Sequence, residues 1–341
     1  MNLFPYEIQE FSIQKFSEQN LWNLKMINVE SFWNNPNGSK GEDIVIAVVD
    51  TGLDVNHKEF TGRIIGAKNF TSIESIDNVK DVEGHGTHVA GTIAGKTTGV
   101  APEARIMPLK VFGDAKVNLN IQEAFIYILR WNETAKEKDK VVAVNCSFGG
   151  SYDPMMHYLI RRLINSGVAV IVAAGNSGDG RADTIEFASY PSFLYEVITT
   201  GAIEESGNPA GYSNTHDGID VGAPGSLIYS AWPNNEYRLL SGTSMATPHV
   251  TGLYGLIVAS FKKREKRYPT VKEAEDILFK HIKKVNIDSA FVGDGILDAT
   301  FITNRWPLYH VQTGAFFNQI GANNTLNLIA KAGLSGYITK Y

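Results

Sequence analysis

Leu240-Ser241-Gly242-Thr243-Ser244-Met245-Ala246-Thr247-Pro248-His249 places a serine between a turn of small residues and a long apolar run, Val250-Thr251-Gly252-Leu253-Tyr254-Gly255-Leu256-Ile257-Val258. The run is apolar on nearly every side, which predicts a buried helix. Ser244 then falls at the helix N-terminus, where unsatisfied backbone N–H groups and the positive dipole end favour negative charge. A hydroxyl there can attack a carbonyl and leave the resulting oxyanion beside those donors. Pro248 is expected about one turn into the helix, where its missing N–H matters little. A serine in this place can also be an ordinary helix cap. The residues upstream decide between the two.

Ile44-Val45-Ile46-Ala47-Val48-Val49 is a continuous β-branched run, the pattern of a strand buried on both faces of a parallel sheet. It ends at Asp50-Thr51-Gly52, and the carboxyl end of such a strand is where α/β sheets hold their ligands. Asp54 lies beyond the turn and is expected to be exposed. Gly84-His85-Gly86-Thr87-His88-Val89-Ala90-Gly91-Thr92-Ile93-Ala94-Gly95 predicts a tightly packed helix starting near His85. His85 should face a cleft and His88 should be packed and hydrogen-bonded. Their spacing of three faintly matches a zinc pair, but no third ligand stands nearby. Further strands are predicted at Ala104–Phe112, Val141–Cys146 and Val168–Ala174, with shorter ones at Glu196–Gly201 and Ile219–Val221. Helices are predicted at Asn28–Trp33, about 120–136 and Met155–Ser166. Strand and helix alternate, so the expected fold is α/β: three layers, a mostly parallel sheet with helices on both faces. Asn176, in the turn Gly175-Asn176-Ser177-Gly178, can offer a side-chain amide to an oxyanion in the same cleft.

The whole chain fits this reading. It has 341 residues, 43% hydrophobic and 20% charged, enough for one large α/β domain with appendages. A net charge of −5 gives no reason to expect nucleic acid or an anionic membrane as partner. Cys146 is the one cysteine, so no internal disulfide forms, which suits a reducing compartment. Met1 to Glu7 has neither a basic start nor an apolar run, so no secretory signal is read there. No stretch reaches the ~20 apolar residues of a membrane span. The expected location is the cytoplasm. The basic run Lys262-Lys263-Arg264-Glu265-Lys266-Arg267 is expected to be a solvated helix end, where cations complement the dipole.

Asp50, His85 and Ser244 follow the chain order of one known solution to the Asp-His-Ser geometry. The blocks Val49–Gly52, Gly84–Thr92, Ala174–Gly178 and Gly242–Val250 resemble the four signature blocks of the subtilases, the subtilisin-like serine proteases. Ala223-Pro224-Gly225 resembles a fifth, structural block. The resemblance spans roughly residues 25 to 303. It implies a peptide-bond hydrolase acting on protein or peptide substrates. Ser244 would be the nucleophile, His85 the general base and then acid, and Asp50 the residue that orients the imidazole. The Asn176 amide and the Ser244 N–H would bind the oxyanion, with Thr243 assisting. Ser147, Phe148, Gly149, Ala173, Ala174 and Gly175 would line the pocket for the side chain before the scissile bond and pair with an extended peptide.

Leu3-Phe4-Pro5-Tyr6 resembles a segment near the start of intracellular subtilisins, where a short extension blocks the active site until it is removed. Proline lacks an N–H and fixes φ, so such a segment can occupy a strand-binding groove while distorting it. The expected organisation is an inhibitory extension over 1–22, a catalytic domain over 23–305 and a tail over 306–341.

Three features depart from the family pattern or add to it. Only Lys96-Thr97-Thr98 follows Gly95, where many subtilisins carry a longer calcium-binding insertion. Asp220 aligns with an acid that helps hold Ca2+ in several relatives, one carboxylate towards the 6–8 oxygens needed. Asp114–Asn120 replaces a usually glycine-rich edge strand. In the tail, Tyr309–Phe316 and Ser335–Tyr341 read as strands and Asn318–Lys331 as a helix. This small βαβ appendage resembles half of a SPOR repeat, which implies a peptidoglycan glycan partner, a cell-wall or spore association, and a pairing copy in a homodimer. The rival readings are a catalytically silent subtilase-fold regulator and a cell-wall protein whose tail is its main function.

Overall fold

The computed structural model describes residues 4–5, 9–11, 21–186 and 189–301. The chain divides into two units, Met1–Arg305 and Trp306–Tyr341. The second unit lies outside the described residues, and the expected SPOR-like strands and helix lie there with it.

The strands are β1 (Phe4–Pro5), β2 (Gln9–Phe11), β3 (Val45–Asp50), β4 (Lys68–Asn69), β5 (Arg105–Lys110), β6 (Val141–Cys146), β7 (Phe148–Gly149), β8 (Ala169–Ala173), β9 (Ile198–Ile203), β10 (Val221–Pro224), β11 (Ile228–Trp232), β12 (Glu236–Ser241), β13 (Ile282–Lys283) and β14 (Ile296–Leu297). The helices are α1 (Trp22–Met26), α2 (Val29–Trp33), α3 (His85–Ala94), α4 (Val117–Thr134), α5 (Pro154–Asn165), α6 (Thr243–Glu265), α7 (Val271–Leu278) and α8 (Ser289–Val292). Nine strands form one sheet in the order β13-β14-β10-β9-β8-β6-β3-β5-β4, parallel apart from the β13–β14 pair.

The continuous apolar runs have a plain cause. Val45, Ala47 and Val49 of β3 share one cluster with Ile121, Ala124, Phe125 and Ile128 of α4 and with Leu159, Ile160 and Leu163 of α5. On the other face, α6 passes so close that a Cβ on Gly255 would stand 2.8 Å from Ile44 Cδ1 and 2.9 Å from Ile46 Cδ1. Alternate residues of β3 thus pack against different helix layers, so no position is left for a polar side chain until the strand ends at Asp50. This is the three-layer α/β fold expected from the sequence.

The differences are local. Asp114–Asn120 is a turn followed by the first turn of α4, fixed by Asp114, whose carboxylate accepts from Ser72, Lys116 and Asn120. The basic run is fastened rather than only solvated: Lys262 Nζ donates to Tyr268 at 2.7 Å, Lys263 Nζ to the Pro36 carbonyl at 2.9 Å, and Arg267 pairs with Glu273 at 2.6 Å. Among the described residues no helix is long and apolar enough to cross a membrane.

The close approach of α6 at Gly255 makes a prediction. Gly255→Leu forces side chains into the space held by Ile44 and Ile46, and should destabilise the protein by about 1–3 kcal/mol. A thermal unfolding midpoint equal to the parent's would show that α6 can retreat without cost.

Candidate active site

β3 delivers Asp50 and α3 starts at His85, and the two side chains meet. His85 Nδ1 lies 2.7 Å from Asp50 Oδ1, with the residues 3% and 1% exposed. Asp50 Oδ1 also accepts the Thr51 N–H at 2.7 Å. With the carboxylate ionised, Nδ1 carries the proton and donates it, which leaves Nε2 as the basic nitrogen. His85 Nε2 is buried and, among the described residues, has no hydrogen-bond partner. Burial alone would lower the imidazole pKa. The Asp50 charge and hydrogen bond, with the Asp81 and Glu83 charges, outweigh it and raise the pKa above the ordinary 6.5.

Small residues bring α3 this close. A Cβ on Gly86 would stand 2.3 Å from the Gly52 carbonyl oxygen, so only glycine lets the helix start against the end of β3. His88, one turn on, donates from Nε2 to the Ile228 carbonyl at 2.9 Å. Burial pushes its pKa down to about 3, so it stays neutral. It is the packed, hydrogen-bonded histidine the sequence predicted. Among the described residues no group of three or more His, Cys, Asp and Glu side chains converges as a metal cluster would.

Ser244 is the second residue of α6 and fully buried. Its hydroxyl donates to the Ser147 carbonyl at 3.2 Å, not to His85. The Ser147 hydroxyl donates in return to the Ser244 carbonyl at 3.0 Å. Pro248 explains that return bond. It lies beyond the first turn, at the residue whose N–H would have bonded the Ser244 carbonyl. The missing donor does matter, and Ser147 supplies a replacement. Asn145 Nδ2 donates to the Ser147 hydroxyl at 2.9 Å, and Thr251 of α6 donates to Asn145 Oδ1 at 2.8 Å, so this contact is braced from the sheet.

Asn176 is set by its carbonyl end. Its Oδ1 accepts the Thr243 N–H at 2.9 Å and the Thr243 hydroxyl at 2.8 Å, which directs the NH2 end away from Thr243. The Thr243 hydroxyl accepts the Gly175 N–H at 3.1 Å, so it holds the turn as well as the amide.

The family model described as "Subtilase family" matches residues 41–305. The chain belongs to the subtilase family. It is 36% identical over 310 residues to the "Major intracellular serine protease" of Bacillus subtilis (strain 168), covering 88% of this chain and 93% of that one. It is 34% identical over 325 residues to the "Intracellular serine protease" of Paenibacillus polymyxa, covering 92% and 94%. With "Subtilisin DY" of Bacillus licheniformis the identity is 33% over 269 residues, covering 76% and 91%.

In this subtilase the two expected substrate segments differ in what they can offer. The Ala174 N–H is bonded to the Thr200 carbonyl and the Ala174 carbonyl to Asn214 Nδ2; the Gly175 carbonyl accepts the Asn214 N–H. Ala173, Ala174 and Gly175 are therefore wall, not free strand edge. The edge is β7, next to Ser147. It is paired antiparallel with β1, Phe4 opposite Gly149 and Pro5 opposite Phe148. Leu3 and Tyr6 lie outside the described residues. β2 pairs with the end of β12, Gln9 opposite Ser241 and Phe11 opposite Leu239.

Asp220 is half-buried, with Oδ2 accepting the Thr199 N–H at 2.8 Å. Burial, and to a lesser extent Asp294, push its pKa up to about 6. Asp294 is itself paired with Lys284 at 2.7 Å. These side chains do not make up the 6–8 oxygens that calcium takes. Asp54 is half-buried rather than exposed, accepting from Asn56 and Asn234 backbone N–H groups. Two residues escaped the sequence reading. Asn214 braces the turn carrying Asn176, accepting the Ser177 N–H at 2.6 Å. Asp81 lies buried under the start of α3. Asp81 stands four residues before His85 and could have been read as a capping acid; Asn214 gives no local signal.

The fixed Asn176 amide gives a direct expectation. Asn176→Ala should lower kcat on a peptide substrate by about 10²–10³, the usual loss for one oxyanion donor, with KM little changed. Unchanged turnover would remove Asn176 from the reaction.

Proposed function

We propose that this subtilisin-like serine endopeptidase hydrolyses peptide bonds through Ser244, and that it is made in a self-inhibited form. The observation that carries the reading is the buried Asp50–His85 hydrogen bond at 2.7 Å with Nε2 left unpaired. A buried base with an unoccupied lone pair is suited to take a proton. Ser244 is the hydroxyl that gives it. Its Oγ leaves the Ser147 carbonyl and transfers its proton to His85 Nε2 as the oxygen attacks the substrate carbonyl. The oxyanion is met by the Ser244 N–H, which lies in the first turn of α6 and has no intrahelical acceptor, and by the Asn176 amide. His85 then returns the proton to the leaving amine, and water repeats the cycle to release the acyl group. Asp50 holds the tautomer and stabilises the imidazolium.

Two further points belong to this proposal. The β1–β7 pairing supports inhibition by the extension, because the strand edge beside Ser147 is then filled by the chain's own Phe4–Pro5. The names of two relatives include the word "intracellular", which supports work in the cytoplasm. No specific observation favours the silent regulator or the cell-wall protein.

A fluorophosphonate should label Ser244 once residues 1 to about 20 are removed and fail to label Ser244→Ala; a protein that resists the label both with and without the extension would overturn the reading. His85 must be neutral to act as base, and its pKa is raised above 6.5. The acid limb of kcat/KM should therefore lie above pH 6.5, with activity rising as pH increases through it; a limb below 6.5 would separate His85 from catalysis. Deleting residues 1 to about 20 should raise the initial rate of peptide hydrolysis, and equal rates from both proteins would refute the lid.

A further inference from the structure

Asp81 takes no part in the chemistry above, yet its buried carboxylate is the most heavily bonded group near His85. Oδ1 accepts the Thr51 hydroxyl at 2.9 Å, the Glu83 N–H at 3.1 Å and the Gly84 N–H at 2.8 Å. Oδ2 accepts the Thr87 N–H at 2.8 Å and the Thr87 hydroxyl at 2.7 Å. The Thr51 hydroxyl in turn accepts the Gly86 N–H at 2.9 Å. Thr51 follows Asp50 and donates its own N–H to the Asp50 carboxylate. Gly84, Gly86 and Thr87 flank His85. One carboxylate thus takes donors from the end of β3 and from the start of α3.

We propose that Asp81 is a positioning residue of the peptidase reaction: it locks the end of β3 to the first turn of α3 and so sets the Asp50–His85 hydrogen bond. The inference rests on the proposed roles of Asp50 and His85. Its physical basis is the buried start of α3. Those N–H groups lack helical acceptors and are shielded from water. A fully satisfied carboxylate fixes their direction, whereas a neutral or shorter side chain leaves at least one donor unpaired. Misplacement of a reacting group by a fraction of an ångström is costly, because the base must meet the hydroxyl at hydrogen-bond distance.

Asp81 also faces His85 as a charge. The charged and titratable groups around the imidazole are Asp50 from β3, Asp81 and Glu83 from the turn, and His88 from α3. Lys110 of β5 reaches Glu83 electrostatically, with its Nζ bonded to Glu74 and the Lys80 carbonyl. Arg238 of β12 stacks on Trp232, whose ring fills the space where Gly84 would carry a Cβ. Positioning and charge can be separated by substitution. Thr51→Val breaks the link to Asp81 and keeps its charge. Glu83→Gln removes a neighbouring charge and keeps the link, which uses only the Glu83 N–H.

The test is steady-state kinetics on a short peptide across the acid limb, with the full chain and rates expressed per fluorophosphonate-titrated site. Asp81→Asn should lower kcat roughly ten- to a hundredfold with KM little changed. It should also move the acid limb to lower pH, because His85 loses an anion that favours its protonated form. Thr51→Val should lower kcat without moving the limb, and Thr51→Ser should restore it. Glu83→Gln should move the limb to lower pH with kcat intact. A residue that only supported the fold would change the titrated amount of enzyme but neither kcat per site nor the limb. Should Asp81→Asn not fold, the Thr51 pair decides. Parent-like kcat per site in Asp81→Asn, or in Thr51→Val, overturns the inference. A protein inactive on peptides both with and without residues 1 to about 20 would overturn the peptidase reading and this inference with it.

Discussion

Two helices begin inside this protein rather than at its surface, and a helix start removed from water must find partners for its free backbone groups from other side chains. α3 and α6 both face that constraint. At α3 the donors are taken up by Asp81 and Thr51. At α6 the first N–H goes to Asn176, and the carbonyl orphaned by Pro248 goes to Ser147. The groups that satisfy these helix starts are the candidate chemical residues or their immediate neighbours. Burial of two helix termini against the carboxyl ends of parallel strands therefore fixes Asp50, His85, Asn176 and Ser244 by the same bonds that make the fold possible.

Much of this was legible in the sequence where the physics is local. Ile44–Val49 reads as a doubly buried strand because both helix layers demand apolar side chains, and Gly84–Gly95 reads as a packed helix because small residues are needed for close approach. Asp50, His85 and Ser244 stand out because each ends or begins such a segment. What was hidden depends on partners far along the chain. β7 is two residues long and, among the described residues, pairs as a strand with β1 alone. The role of Pro248 needed a hydroxyl about a hundred residues upstream. Asn214 comes into play only through the fold, which brings it beside Gly175, where an added Cβ would stand 2.4 Å from its amide nitrogen. The β11–β12 hairpin did leave a trace: Asn234 and Asn235 both take left-handed φ, at 66° and 60°, as asparagine tolerates well.

The wall and the edge of the cleft are built differently. Ala174 and Gly175 have their backbone groups engaged by Asn214, Thr200 and Thr243, so their surface is set by the sheet. β7 lies outside the nine-stranded sheet and is paired only with β1 among the described residues. The side chain of Phe148 in β7 is nonetheless buried in the main core, against Phe112.

β1 and β2 are two and three residues long, and they pair with the body at two separate places: one at Phe148–Gly149, the other at Leu239–Ser241. Contacts so short would not hold a separate peptide at ordinary concentrations. Joined to the chain they act at the millimolar local concentration that a short covalent connection confers. One cut between Phe11 and Trp22 would leave every one of those contacts chemically unchanged while diluting the detached piece into the surrounding volume. The strength of the association would then collapse through entropy alone, and nothing in the body of the protein would restore it.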